Sequence, residues 1–443
     1  MTELIISFDT EDYVNPHAAD GILRASKIVR EAGFMPCHNV VARTAEALVK
    51  WGRQDVIDEL KQCEIETHTM RHSHHPTINE YTDLADFDEA MRIFREEEDA
   101  ALNVLRDILG DCAFAAACPP GMSTSYVATY GYADMGIPIY DGSLVCDEAV
   151  GRPLRYCNMI NLGYHHPLDY FGVWEKSDVL DMIEKMAELE ICIVYHHPAL
   201  NAAAEFYDEQ NFKGENRPES DWIMSTPVPP EQVKKFEENL RFFLETVKND
   251  PRFHPTTYSE LTKKLECRRV VKPAQLPEIR ALLSEDFFPV TMPESLSLSD
   301  IMLACRDFLM GKDEHICGKV YGFLDTPYAI REPVTLRADD IRAAAEQVAD
   351  GTFLPTDITV DGQKIGPADW MRAALAVLCG EETVTVAPGP WQIDLDEFPR
   401  LKKINYRGSW IHMKSFEDRY LSSRARLQSW TISLPKDTKR RIY

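Results

Sequence analysis

From Glu64 to Pro76 the chain reads "EIETHTMRHSHHP", and four of its thirteen histidines, His68, His72, His74 and His75, fall within eight residues. Imidazole titrates near neutrality and is the commonest metal-ligating side chain, so this concentration points to a metal or to proton transfer. His68 and His72, four apart, can face one side of a turn and share a divalent cation. A carboxylate from another strand would complete three protein ligands and leave a position open for water or substrate. "DTED" offers Asp9, Glu11 and Asp12, one for the ion and one to spare as a general base. A histidine of the distant "YHHP", His196 or His197, would then protonate a leaving group. That combination is hydrolytic and suits amides and esters. His74 and His75 are expected to be loop or supporting residues, because such a site needs few protein ligands.

The elements that must position these groups follow from apolar periodicity. "ELIISF" is a short β-rich run ending in acids, "MPCHNVVA" and "EIETH" read as further strands, and "ICIVYHHPA" as another. Between them lie helical patterns such as "ADGILRASKIVREAGF", "DFDEAMRIFREEEDAALNVLRDILG" and "PEQVKKFEENLRFFLETVKND". Strand–helix alternation to about Leu265 predicts a parallel α/β fold, barrel or open sheet, with chemistry at the C-terminal ends of the strands. The acids and histidines fall at those ends, as does the rigid "CPPG" turn of Cys118 to Gly121.

Composition narrows the function classes. The chain has 443 residues, 44% hydrophobic and 10% aromatic, which fits a folded protein of two domains. Its 72 acidic against 48 basic residues give a formal charge of −24, which argues against a nucleic-acid partner. Eleven cysteines without a CxxC pair suggest reduced thiols, neither a disulfide framework nor a zinc knuckle. No apolar run approaches the ~20 residues of a membrane span. No basic segment precedes the first apolar run, so a cytoplasmic location is expected.

Taken in order, "SFDTED", "HTMRH", "CPPG" and "YHHP" resemble the motifs of the polysaccharide deacetylase family, the NodB-homology or carbohydrate esterase family four, in a variant with spaced acids. The resemblance covers roughly Met1 to Leu265. It implies a distorted (β/α) barrel that removes N-acetyl groups from sugars with a carboxylate–His–His metal site. It further implies Asp9 as base, Glu11 or Asp12 as ligand carboxylate, and His68 and His72 as the histidine ligands, with one divalent ion, zinc by expectation. His197 is preferred to His196 as the acid. Pro119, Pro120 and Trp174 are expected to touch substrate, and Asp169 and Trp174 loosely match the motif that supports the acid. The family's base-orienting arginine is absent, and Cys118 stands in its place. A second "YHHP", Tyr164 to Pro167, is a candidate to line the cleft. The rival readings are an allantoinase-like cyclic-amide hydrolase on the same barrel, or a decayed carbohydrate-binding or scaffold protein.

After a linker at about 266–297, a smaller, mainly helical C-terminal domain is expected over 298–443. It carries a weak repeat: "SDIMLACRDFLMGKDE" from Ser299 aligns without a gap to "ADWMRAALAVLCGEET" from Ala368. Each copy reads as a capped amphipathic helix closed by Gly. The copies are expected to pack on one another or on the barrel, or to mediate homo-oligomer contacts. This part is expected to be structural or substrate-selecting and to supply no metal ligand.

Overall fold

The computed structural model describes residues 1–122, 125–142, 150–266, 268–396, 398, 401 and 410–438. Ten strands form one curled sheet: β1 (Thr2–Thr10), β2 (Cys37–Val40), β3 (Glu64–Thr67), β4 (Ala116–Ala117), β5 (Ile139–Asp141), β6 (Leu154–Tyr156), β7 (Met159–Leu162), β8 (His166–Pro167), β9 (Ile191–His196) and β10 (Phe253–Pro255). The order is β6-β7-β5-β4-β3-β2-β1-β9-β8, with β10 paired to the first residues of β1. All pairings but β6–β7 are parallel. With helices on its outer face, this is a distorted α/β barrel, as the alternation predicts.

Period-two alternation divides the strand residues between two cores. On β1, Leu4, Ile6 and Phe8 join Ile28 and Val29 of the helix Ala18–Glu31 and Phe236, Leu240 and Phe243 of the helix Pro230–Asn249. Ile5 instead joins Cys37, Ala116, Ile139, Ile160 and Ile193, one from each of five other strands, capped by Tyr258 and Leu261 of the helix Tyr258–Leu265. This second cluster is the barrel interior. Continuing its phase, Ser7, Asp9 and Glu11 also point inward.

Beyond the barrel lie the helices Leu276–Glu285, Leu298–Leu309, Pro367–Leu378 and Leu421–Leu427, with three two-stranded antiparallel sheets. The repeated helices, Leu298–Leu309 and Pro367–Leu378, pack against each other. Met302 and Ala304 of one, and Met371 and Ala373 of the other, are buried. Each start is capped alike: Asp300 accepts the Ser297 N–H at 2.9 Å and Asp369 accepts the Gly366 N–H at 3.1 Å. Side chains cross the expected boundary near Leu265. Tyr130 Oη donates to Gln428 at 2.8 Å, Tyr156 Oη donates to the Ala425 carbonyl at 2.9 Å, and one apolar cluster runs from Phe94 and Leu105 to Trp370 and Trp430.

The described cysteines are all free thiols, while Cys146 and Cys267 lie outside the described residues. Among the described residues no helix is long and apolar enough to cross a membrane.

Candidate active site

The C-terminal ends of β1, β3 and β9 converge on a cleft of about 580 Å³ lined by Asp9, Glu11, His68, His72, Asp169 and His197, among others. Strand register sets which residues meet there. Phe8 pairs with His196 across β1 and β9, so His196 shares the outward phase and His197 comes level with Asp9. His196 is fully buried outside the barrel, stacked on Phe236 with ring centroids 4.6 Å apart. Its Nδ1 lies 2.6 Å from Asp169 and its Nε2 accepts from Asn201 at 2.7 Å. Burial lowers its pKa, so His196 is a neutral support. His197 faces the cleft.

After β3 ends at Thr67, the chain makes a tight turn rather than a helix. Thr69 Oγ1 accepts the His72 N–H at 3.1 Å, and both residues take positive φ, 69° and 52°. Left-handed backbone at two non-glycine residues is a local strain of the sort found where geometry serves a site. The turn brings His72 Nε2 to 2.9 Å and His68 Nε2 to 3.4 Å from the same Glu11 oxygen, Oε2. Burial pushes the Glu11 carboxyl up, but His72 and His68 outweigh it and hold it well below the usual carboxylate range.

Asp12 is placed differently. Its carboxylate turns back to accept the backbone N–H groups of Val14 and Asn15, both at 2.9 Å, and the Asn15 amide at 2.8 Å. Burial nevertheless pushes it up to about 7. Of the two carboxylates offered by the sequence as ligands, Glu11 is the one brought to the histidines, and Asp12 shapes the loop.

Glu11, His68 and His72 fit a divalent ion. Their donor atoms lie within 4.8 Å of one another, all buried. His68 Nδ1 is engaged by the Cys118 carbonyl, while the buried Nε2 has no hydrogen-bond partner among the described residues. Two imidazoles and a carboxylate suit zinc or a similar borderline ion. His72 is braced from behind: Ser73 Oγ lies 3.2 Å from its Nδ1 and donates to Asp208 at 3.0 Å.

Across the cleft stands the pair Asp9 and His197, with Asp9 Oδ2 3.6 Å from His197 Nε2. His197 Nδ1 lies 2.8 Å from Asp169 Oδ2, and its backbone N–H donates to Oδ1 at 2.8 Å. Burial works against a charge on His197, yet Asp169, with Glu11 and Asp9, raises it to about 10. Asp169 is itself driven down, burial being outweighed by His197 and His196. The loose motif match at Asp169 therefore falls on the residue that carries both histidines.

Trp174 does not reach the cleft. It stacks on Tyr170, centroids 5.8 Å apart, beside Phe171 on the outer face. Trp222 packs among Tyr13 and Phe212. Pro119 and Gly121 line the cleft, whereas Pro120 between them is not among its lining residues. The cleft's tryptophan is Trp410, which sequence reasoning misses, with Phe206 and Tyr195 as further aromatic walls. Gly121, at φ 58°, makes room for it: a Cβ there would come within 2.5 Å of the Trp410 ring. His75 is structural, held between Glu80 and the Phe212 carbonyl, both at 2.8 Å. His74 packs its edge on Phe212.

No protein-family model matches the chain. No curated protein matches it either. Among solved structures it is similar to a 4-alpha-glucanotransferase from Thermococcus litoralis, at 11% identity and TM-score 0.40, covering 60% of this chain and 40% of that one. It is also similar to a putative polysaccharide deacetylase from Mycobacterium smegmatis, at 12% identity and TM-score 0.39, covering 61% and 95%. A family 4 carbohydrate esterase from Streptomyces lividans in complex with acetate matches at 10% identity and TM-score 0.34, covering 59% and 95%. The chain thus spans less than half the length of the first and nearly all of the other two.

Proposed function

We propose that this chain is a metal-dependent hydrolase of amide bonds that removes the acetyl group from an N-acetylated sugar or a related small amide. One observation carries the reading: a single cleft holds a Glu–His–His donor set beside a carboxylate and a histidine that face each other at 3.6 Å. When bound at Glu11, His68 and His72, a zinc ion supplies Lewis-acid polarisation of a carbonyl oxygen and a lowered pKa for water. The remaining chemistry belongs to the protein. Asp9 is the proton acceptor and presents Oδ2 to the cleft. His197 carries its proton through neutral pH and donates it from Nε2 to the departing nitrogen, while Asp169 fixes the ring through Nδ1. Trp410, Phe206 and Tyr195 offer flat apolar faces of the kind that cover a sugar ring, in a volume suited to a small saccharide.

The test is acetate release from a panel of N-acetylated mono- and oligosaccharides by zinc-loaded protein. The expected result is release that a chelator abolishes and added zinc restores. Protein carrying zinc one to one but releasing acetate from none of them would overturn the substrate class. Protein that takes up no divalent ion would overturn the hydrolase reading itself.

A further inference from the structure

The carboxylate of Asp9 is buried, and its two oxygens have different neighbours: Oδ2 faces His197, and Oδ1 is bonded to Tyr164 and Asn39. A carboxylate free to rotate would present either oxygen at a varying angle, so something must hold it. The arginine that the motif resemblance calls for is absent, and the Cys118 thiol in its place carries no positive charge. We infer that Tyr164 is the positioning residue for the base: with Asn39 it fixes Asp9 through Oδ1, leaving Oδ2 to accept the proton. The role given to Asp9 rests on the deacetylase reading above.

Tyr164 Oη donates to Asp9 Oδ1 at 2.5 Å, and Asn39 Nδ2 donates to the same oxygen at 2.9 Å. The direction of the phenol proton follows from counting. A phenol has one proton, and Asn39 Nδ2, 2.8 Å from Tyr164 Oη, can only donate to it. That leaves Asp9 and the Cys118 sulfur, 3.1 Å away, as acceptors, and a carboxylate is much the stronger. Tyr164 is itself immobilised. Its ring lies flat on Tyr195, centroids 4.5 Å apart at 12°. Asn39 is held in turn on β2, level with Asp9 in the register. Two neutral donors thus orient the base through Oδ1, while His197 faces Oδ2. This also gives a use to the duplicated "YHHP": its first copy supplies the tyrosine that holds the base, and its second supplies His197.

Tyr164→Phe keeps the stacked ring and removes only the donor. Three readouts decide the matter: the hydroxyl-proton resonance downfield of the amide envelope in the proton NMR spectrum, bound zinc, and kcat and KM for acetate release from N-acetylated sugars. The expected variant retains zinc and KM and loses the resonance, and its kcat falls about 10- to 100-fold. Asp9→Asn should abolish or move the same resonance, and adding Tyr164→Phe to Asp9→Asn should slow it no further. Asn39→Ala, which removes the second donor, should lower kcat in the same sense and serves if Tyr164→Phe does not fold. A resonance untouched by either Tyr164→Phe or Asp9→Asn overturns the inference, and so does a loss confined to KM or a wild-type kcat. If both variants remove the resonance but wild-type protein releases no acetate, the contact stands and the deacetylase reading falls.

Discussion

The two ends of one barrel treat buried carboxylates in opposite ways. At the C-terminal end, Glu11 is 3% exposed yet held ionised, because two imidazoles lie within 3.4 Å of one oxygen. Glu66 on β3, level with Asn39 and Asp9 in the register but lining a second cavity that opens at the N-terminal ends of the strands, is 0% exposed and has no such partners. Its Oε2 accepts the Ala116 N–H at 2.7 Å, and its Oε1 is without a hydrogen-bond partner among the described residues. Burial, followed by the charge of Glu64, drives its carboxyl well above the usual range. Both residues line cavities of similar size, about 580 and 560 Å³. A buried acid in a cavity is therefore not enough to make a site. What separates the ends is the presence of histidines whose geometry reverses the penalty of burial.

That contrast can be broken most sharply at the histidines. His72→Ala should reduce bound zinc from one per chain to almost none and acetate release to background, as should His68→Ala. Elemental analysis beside the acetate assay reads both, and variants with the wild-type metal content would remove the distinction between the two ends.

A smaller loss is expected at the acid–base pair. Asp9→Asn should keep its zinc and lose roughly 10²–10⁴ in rate, the usual worth of a general base. His197→Ala should behave alike. His196→Ala should be milder, because that ring sits outside the barrel and acts only through Asp169. A severe His196 effect with a silent His197 would reverse the assignment read from strand phase.

The smallest effect on activity is expected from Glu66→Gln, which should leave zinc binding and acetate release unchanged. Its signature is in stability against pH. Folded Glu66 holds its proton where the unfolded chain, with a carboxyl near 4.5, has released it. Stability of the wild type therefore falls as pH rises above that value, and glutamine removes the dependence. Thermal melts from pH 5 to pH 8 should show the variant gaining on the wild type as pH rises. A constant gap would mean that Glu66 is ionised in the fold, and that the two ends differ less than their geometry indicates.

How much of this was legible in the sequence depends on how local the information is. Asp9, Glu11, His68 and His72 stand within short motifs at strand ends, but the choice between Glu11 and Asp12 depended on where the chain turns after the strand, which ends at Thr10. Period-two alternation applied to "ICIVYHH" separates inward Ile191, Ile193, Tyr195 and His197 from outward Cys192, Val194 and His196. Side-chain phase thus favours His197 with no appeal to resemblance. Trp174 was misplaced because nearness to Asp169 along the chain says nothing about which face of the sheet a loop covers. Tyr164 carried a signal, the repeated "YHHP", but nothing local states that it reaches Asp9, 155 positions away. Asp208 and Trp410 had none, since each depends on a tertiary contact with a distant loop.

Trp410 has one more consequence, in the order of events when the chain is made. The segment that carries it is tied to the histidine loop by contacts of great sequence span. Thr77 Oγ1 donates to the Ile411 carbonyl at 2.8 Å across 334 positions, Glu80 accepts the Met413 N–H at 2.6 Å, and Asp83 accepts the N–H groups of Arg419, Tyr420 and Leu421. During synthesis the strands bearing Asp9, His68 and His197 emerge early and can pair while the ribosome is still far from residue 410. Over that interval the cleft can have its charged floor and the rings of Tyr195 and Phe206 but lacks Trp410. The groups at the strand ends can thus be assembled first, and the face that Trp410 gives the cleft is added last.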